Sequence, residues 1–380
     1  MAVILTEEQK EIKETVRSFM EKAVKPYIGE YDKSGEFPVE LYEQGFEIGL
    51  HIMNIPEEFG GLGLDNVTMA VALEEMGRVD PGFAITMLST SLTLKDVLVG
   101  GTDEQKQRAA DIIIPGGYGT FAMTEPNAGS DAVSLTTTAK KDGDYYILNG
   151  TKCFATNGGY ADLFVVIATV DKSLRSKGTV AFILEKGTPG LTIGAHEDKM
   201  GLRLSNTVTM YLDDVRVPAS NMLGNIGDGI KIALHGLDAG RLYNSAISVG
   251  IAQHAIEEAT RYAKDRIQFG KPIIENQALQ MMLADMQMRT EAARCMVHNS
   301  MKLMDMGVDH VSLEASCCKA FAGDNAVQCA TDAIQVLGGY GYSREYPVEK
   351  ILRDSKIFQI FEGTNQIQRL VIAREMAKLY

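Results

Sequence analysis

Residues 136–156 read TTTAKKDGDYYILNGTKCFAT, and this stretch decides the fold. Thr is its commonest residue and Tyr, Ile and Phe accompany it, residues whose branched or aromatic side chains suit a pleated strand. Two dipeptides punctuate it, Asp142-Gly143 and Asn149-Gly150. A tight hairpin needs positive φ at its centre, which Gly takes freely and Asn or Asp tolerates, so each dipeptide predicts a hairpin. Three more strand patterns follow: DLFVVIATV (162–170), TVAFILEK (179–186) and TVTMYL (207–212). In the last, Val208, Met210 and Leu212 alternate with less apolar neighbours, as in a half-buried strand. Residues 121–229 are therefore expected to form a compact β domain, barrel-like or a sandwich.

On both sides the pattern is helical. Before it, in residues 1–120, Thr6 and Gln9 have capping-box spacing, and Ile12, Val16, Phe19, Met20 and Val24 recur on one face. Phe37-Pro38 and PEEFGGLG (56–63) break this region, and a further helix is predicted from Asn66 to Met76. After it, in residues 230–380, the spans Ile230–Lys264, Gln277–Met306 and Val311–Leu337 are long enough for an antiparallel bundle of helices, with a final helix over Asn365–Leu379. The order helical, β, helical makes an α+β multidomain chain, and 380 residues exceed what one core usually holds.

The 37 basic and 50 acidic residues give a net charge of -13. A field of that sign repels nucleic acid, which is not expected as a partner. Apolar runs look too short to span a bilayer, so no membrane insertion is expected. The start, MAVILTEE, lacks signal-peptide and transit-peptide character, which predicts a protein that stays in the cytoplasm. A mitochondrial matrix location would require a transit peptide already removed. Five cysteines form no CxxC pair and are read as buried reduced thiols. Six histidines show no HxxxH or HExxH pattern, so no metal is expected. There is no P-loop, no GxSxG, and no GxGxxG after a strand, so a dinucleotide would need a different cradle.

Three other segments are candidates for chemistry. FAMTEPNAGSD (121–131) offers hydroxyls and close backbone N–H groups that could hold a phosphate or a flavin edge. QVLGGYGY (335–342) places two glycines after a helix, and IFEGTNQIQR (360–369) sets Glu362 between Phe361 and Gly363. Read singly, each has an ordinary explanation: a turn-rich linker, a glycine-ended helix, a solvated surface carboxylate. An apolar setting would instead make Glu362 a desolvated base.

Taken in order along the chain, these and further stretches resemble the acyl-CoA dehydrogenase family. The stretches are PEEFGGLGLD (56–65), AMTEPNAGSD (122–131), LNGTKCFATNGGYAD (148–162), RIQFGKPI (266–273), QVLGGYGY (335–342) and EYPVEKILRDSKIFQIFEGTNQIQR (345–369). The resemblance implies an N-terminal helical domain, a middle β domain and a C-terminal four-helix bundle, with FAD as cofactor and an acyl-CoA thioester as substrate. It implies that Glu362 removes the α-proton while flavin N5 takes the β-hydride, giving a trans-2-enoyl-CoA. Phe121, Met123, Thr124, Gly129 and Ser130 would meet the flavin and pyrophosphate, and Phe154, Ala155 and Thr156 would lie against the flavin. Arg266, Phe269 and Gln277 would reach the FAD of a neighbouring subunit. Gln335, Val336, Leu337, Gly338 and Gly339 would line its adenosine side, and Thr364, Asn365 and Gln366 the remainder. Ser130, Asp238, Arg241, Tyr243 and Gly363 would contact the acyl-CoA. The resemblance further implies a homotetramer passing electrons to electron-transferring flavoprotein.

Some relatives carry the base on the helix of the LDxxR segment, where this chain has Gly240. Phe154 stands where the family often has Trp, and the chain has no Trp. Tyr243 and Asn244 are bulkier and more polar than the small apolar residues common there, which predicts a short, branched, cyclic or otherwise unusual acyl group. The same site could run in reverse as a 2-enoyl-CoA reductase. A large acyl-CoA oxidase would need a further C-terminal domain. A low-turnover assembly or nucleic-acid-associated relative would not need Glu362.

Overall fold

A computed structural model describes residues 3–308 and 311–379, apart from the side chains of residues 235–237. Six helices come first: α1 (Glu7–Phe19), α2 (Ile28–Ser34), α3 (Val39–Glu47), α4 (Asn66–Val79), α5 (Pro81–Gly100) and α6 (Asp103–Ile113). Their starts are set by local chemistry. Thr6 and Gln9 form the expected capping box, Thr102 and Gln105 a second, and the carboxylates of Asp65 and Asp80 accept from the N–H groups of Thr68 and Phe83. By length and composition α5 could cross a membrane, contrary to the expectation that no run is long enough; in the fold 72% of its most apolar window is buried.

Eight strands follow: β1 (Tyr118–Ala122), β2 (Thr138–Asp142), β3 (Tyr145–Thr156), β4 (Ala161–Thr169), β5 (Thr179–Glu185), β6 (Leu191–His196), β7 (Thr207–Pro218) and β8 (Met222–Leu223). They form one sheet in the order β6-β7-β3-β2-β4-β5-β8, with β1 parallel to β4. The Asp142-Gly143 hairpin is present, pairing Asp142 with Tyr145. The Asn149-Gly150 hairpin is not. β3 runs through that dipeptide with a register shift against β7, and the Asn149 side chain bonds Asp214 across the strands. A Cβ on Gly150 would lie 2.4 Å from Thr137 Oγ1, so glycine here allows close strand approach at a bulge rather than a turn.

The unbroken apolar run of β4 has a simple cause. Leu163, Val165 and Ile167 face a core shared with α5 and α6, while Phe164, Val166 and Ala168 face the interior of the sheet domain. A strand covered on both faces needs no polar alternation.

The chain then returns to helices: α7 (Gly229–Asp265), a small hairpin of β9 (Ile267–Gln268) and β10 (Lys271–Pro272), α8 (Gln277–Asp305), α9 (Ser312–Leu337), α10 (Val348–Ser355) and α11 (Asn365–Leu379). The largest core joins α1, α4 and α5 to α7, α8 and α9. Where α4 crosses α7 their backbones touch: a Cβ on Gly77 would lie 2.7 Å from the Ile247 carbonyl, and one on Gly250 2.2 Å from that of Glu74. Lys350 on α10 donates to Asp80 at 2.7 Å and to Asp354 at 2.6 Å, and Asp354 also accepts from Leu202 N. This buried triad ties the α4–α5 junction, α10 and the loop before β7 together. No disulfide joins the five cysteines; Cys318 and Cys329 are buried as expected, whereas Cys153 and Cys317 are half-buried and Cys295 is exposed.

Candidate active site

Between α10 and α11 the chain makes a short 3-10 turn over Lys356–Gln359 and then a sharper turn at Glu362. Glu362 and Gly363 both take left-handed backbone, with φ of 55° and 83°. For a residue with a Cβ this costs about 1–2 kcal/mol, so neighbouring groups must hold it. Gln368 Nε2 donates to the carbonyls of Glu362 and Gly363 at 3.0 and 3.1 Å, and Lys319 Nζ donates to the Gly363 carbonyl at 2.8 Å. Phe361 packs edge-on to Phe358. The Glu362 backbone N–H has no acceptor among the described residues.

The side chain projects toward α7. A Cβ on Gly240 would lie 3.3 Å from Glu362 Oε2 and 3.6 Å from Leu92 Cδ1. Gly240 therefore leaves room for the carboxylate, with Leu92 of α5 as the facing wall. Burial pushes the Glu362 carboxyl above its usual range, while the charges of Arg241 and Lys319 pull it back. Arg241 is held by Asp238 at 2.6 Å, which also accepts from Ser312 of α9.

Asn244, one turn beyond Gly240, bonds back to the Gly240 carbonyl. Tyr243, expected on the acyl group, is fully enclosed. Its hydroxyl accepts from Asn54 at 2.8 Å and Lys95 at 3.2 Å and donates to Asn66, so it braces α7 from behind. Sequence reasoning missed Leu92, Lys319 and Asp96. Asp96 is buried, and burial together with the Glu362 charge holds its carboxyl well above the usual range. The signal for both charged residues was present, a Lys and an Asp each inside an apolar helical stretch.

A second group gathers at the edge of the sheet. Cys153 N donates to the Thr124 carbonyl at 2.8 Å, joining the loop after β1 to the end of β3 and so placing Phe121, Met123 and Thr124 beside Phe154, Ala155 and Thr156. Lys152, wholly buried, donates to Met123 O and to Glu125 Oε1 at 2.7 Å. Thr136 and Thr137 donate to the same carboxylate. Gly129 has no neighbour within 4 Å of a Cβ, Ser130 is exposed, and Phe154 is 66% exposed with φ of 57°. Thr124, Ser130 and Thr156 spend their hydroxyls on no partner among the described residues. This open shelf of free hydroxyls with an aromatic face suits a flat, hydrogen-bonding group such as an isoalloxazine.

Burial opposes ionisation of Glu125, but Lys152 and the threonine donors outweigh it and hold the carboxyl at about 2, below the ordinary 4.5. A carboxyl depressed on folding stabilises the fold above its unfolded value, and that stability is lost as pH falls from 4.5 toward 2. Unfolding midpoints measured through this window should therefore drop steeply, and Glu125→Gln should flatten the drop. An unchanged slope in the variant would show that other carboxylates carry it.

The third group lies elsewhere. Arg266, Phe269 and Gln277 follow the far end of α7, roughly 40 Å of helix from Gly240. Arg266 stacks over Tyr340 at 5.6 Å, which brings it to the segment after α9, and Phe269 is 96% exposed. Gly338 and Gly339 stand open, and Gln335 is exposed. The side chains of Val336 and Leu337 are buried in the helical core, so what these two residues can offer a ligand is their backbone. The Asn365 side-chain amide bonds Ala320, Asp324 and Lys319, while Thr364 is half-buried and Gln366 exposed.

Comparison with known proteins shows the family and the three-domain fold. Models of the N-terminal, middle and C-terminal domains of acyl-CoA dehydrogenases match residues 6–116, 120–215 and 227–377. An acyl-CoA dehydrogenase of Bacillus subtilis is 43% identical, covering 97% of this chain and 98% of its own. The structure of butyryl-CoA dehydrogenase from Megasphaera elsdenii superposes with a TM-score of 0.96 at 41% identity, covering 99% of this chain and all of that one. A chain in the structure of the electron transferring flavoprotein of Acidaminococcus fermentans gives 0.96 at 44%, covering 99% of each.

Proposed function

The chain belongs to the FAD-dependent acyl-CoA dehydrogenase family, and we propose on that footing that Glu362 is the base that takes the α-proton of a short acyl-CoA thioester. The observation that carries this reading is Glu362 Oε2 lying 3.3 Å from where a Cβ on Gly240 would stand, a place that Leu92 also borders. α-Protons of thioesters are weakly acidic, so the base must be desolvated and the carbonyl oxygen must find a donor. The half-buried Glu362, whose carboxyl desolvation pushes above its usual range, meets the first need, and its own unpaired N–H can meet the second. Arg241, held by Asp238 close enough to act on the Glu362 charge, orients the thioester arm. Thr124, Ser130 and Thr156 hold the edge of FAD, which when bound supplies the hydride acceptor. That Arg266 and Phe269 follow the far end of α7 from Gly240 supports a second copy completing each cofactor site, and the family resemblance makes that assembly a tetramer.

A short acyl group is supported by the likeness to butyryl-CoA dehydrogenase and by the closed helix crossing at Gly77 and Gly250, beyond Asn244. The electron acceptor in this reading is an electron transferring flavoprotein, which would dock near the exposed Phe154. The reverse reaction is a second reading, favoured by the raised Glu362 carboxyl, since a protonated group can return the α-proton. Anaerobic titration with butyryl-, octanoyl- and branched acyl-CoAs, following flavin absorbance, tests the proposal. Bleaching is expected to be strongest with the short thioesters. Failure of every acyl-CoA to bleach the flavin would refute it, and rapid reoxidation of the reduced enzyme by 2-enoyl-CoA would favour the reverse direction.

A further inference from the structure

The turn that carries Glu362 is clasped by α9, and the residue that reaches it from there is a lysine. Lys319 is 2% exposed, and its ammonium donates to the Gly363 carbonyl and to Asn365 Oδ1, each at 2.8 Å. One turn on, Gly323 lets α9 lie against the chain before the turn, since a Cβ there would sit 2.6 Å from the Phe358 carbonyl. Asp324 accepts from Gln359 before the turn and from Asn365 and Arg369 after it. The flanks are therefore pinned by Asp324, and the strained residues between them by Lys319 together with Gln368.

Both acceptors of Lys319 are uncharged. Its positive charge is thus not cancelled by a close ion pair, and the carboxylate whose field it feels most is Glu362, ahead of Asp324. Arg241 of α7 adds a second positive charge to the same space. We propose that Lys319 is the positioning residue of the base: from α9 it holds the Glu362 turn in its left-handed conformation and sets a positive charge beside the carboxylate. This rests on the reading of Glu362 as the base.

Burial pushes the Lys319 ammonium down to about 8, against the fields of Glu362 and Asp324 and with that of Arg241. Below that value the clasp is charged; above it the charge is lost, so activity should fall on the alkaline side. Without the charge at all, Glu362 should be harder to ionise, and the acid limb of the rate profile should move up.

The test uses the FAD-loaded enzyme and its Lys319→Met and Lys319→Arg variants, with kcat and KM for butyryl-CoA measured across pH. Lys319→Met should lose on the order of tenfold to a hundredfold in kcat with little change in KM. Its acid limb should move up by about one unit or more, and its alkaline limb should vanish. Binding of a non-reactive acyl-thioether CoA should show the same displaced acid limb without turnover. Lys319→Arg should restore most of kcat while still lacking the alkaline limb, because arginine stays charged.

Coincidence of the Lys319→Met and wild-type acid limbs overturns the proposal, whatever the loss in rate. If Lys319→Met fails to bind FAD, a wild-type alkaline limb persisting in Lys319→Arg overturns it equally. Glu362→Gln measured alongside separates the two ideas. If Glu362→Gln turns over, the base assignment itself fails; if it is dead and the limbs do not move, only the role of Lys319 fails.

Discussion

Glu362→Gln should bind FAD as the native chain does and lose acyl-CoA-driven flavin reduction by about 10²–10⁴-fold, the usual worth of a positioned base. The amide matches the carboxylate in shape, so the space beside Gly240 is still filled and the left-handed turn keeps its bonds from Gln368 and Lys319. What changes is the capacity to take a proton. Burial that hinders ionisation of the native group also makes it a stronger base once ionised, and a neutral amide has no equivalent. Flavin content and thermal midpoint are the controls. Turnover near the native rate with both intact would move the chemistry to another residue, such as Asp96, a buried carboxyl that feels the Glu362 charge.

Lys350→Met should cost about 3–5 kcal/mol, the penalty for leaving a buried charge without its partner. Lys350 serves two carboxylates, Asp80 and Asp354, whose side chains are 1% and 3% exposed. Asp80 also caps α5, and Asp354 also takes the Leu202 N–H, so neither can swing to water without giving up a backbone bond. The variant should melt well below the native protein or accumulate as insoluble chain. Lys186→Met, which breaks an exposed pair with Asp162, should change the midpoint little, on the order of 1 kcal/mol or less. Equal midpoints for the two variants would show that the triad is no more than a surface contact.

Much of the fold was legible because its signals are local. The capping box at Thr6 and the long periodic spans of α7, α8 and α9 need nothing from distant sequence. Asn149-Gly150 was misread because the same dipeptide serves a turn or a bulge, and the choice lies with Thr137 and Asp214 on neighbouring strands. The base could be picked from its own segment, but its walls could not. Gly240 and Leu92 come from two other helices, and Lys319 finds its acceptors 44 and 46 positions later. Val336, Leu337 and Asn365 lie in ligand-like motifs yet face the core, an orientation that helical phase sets and a short motif does not reveal.

The division of the interior has a consequence for how the chain is made. The inner core of the sheet domain is drawn entirely from residues 122–222, so it can close as soon as that stretch is available. The apolar faces of α1, α4 and α5 cannot, because their counterpart is α7, pressed so close to α4 at Gly77 and Gly250 that no side chain separates them. During synthesis the first hundred residues leave the ribosome earliest but must wait for residues 229–265 to cover them. In that interval a nascent chain carries a finished middle and an unshielded beginning, which is the species a chaperone would bind.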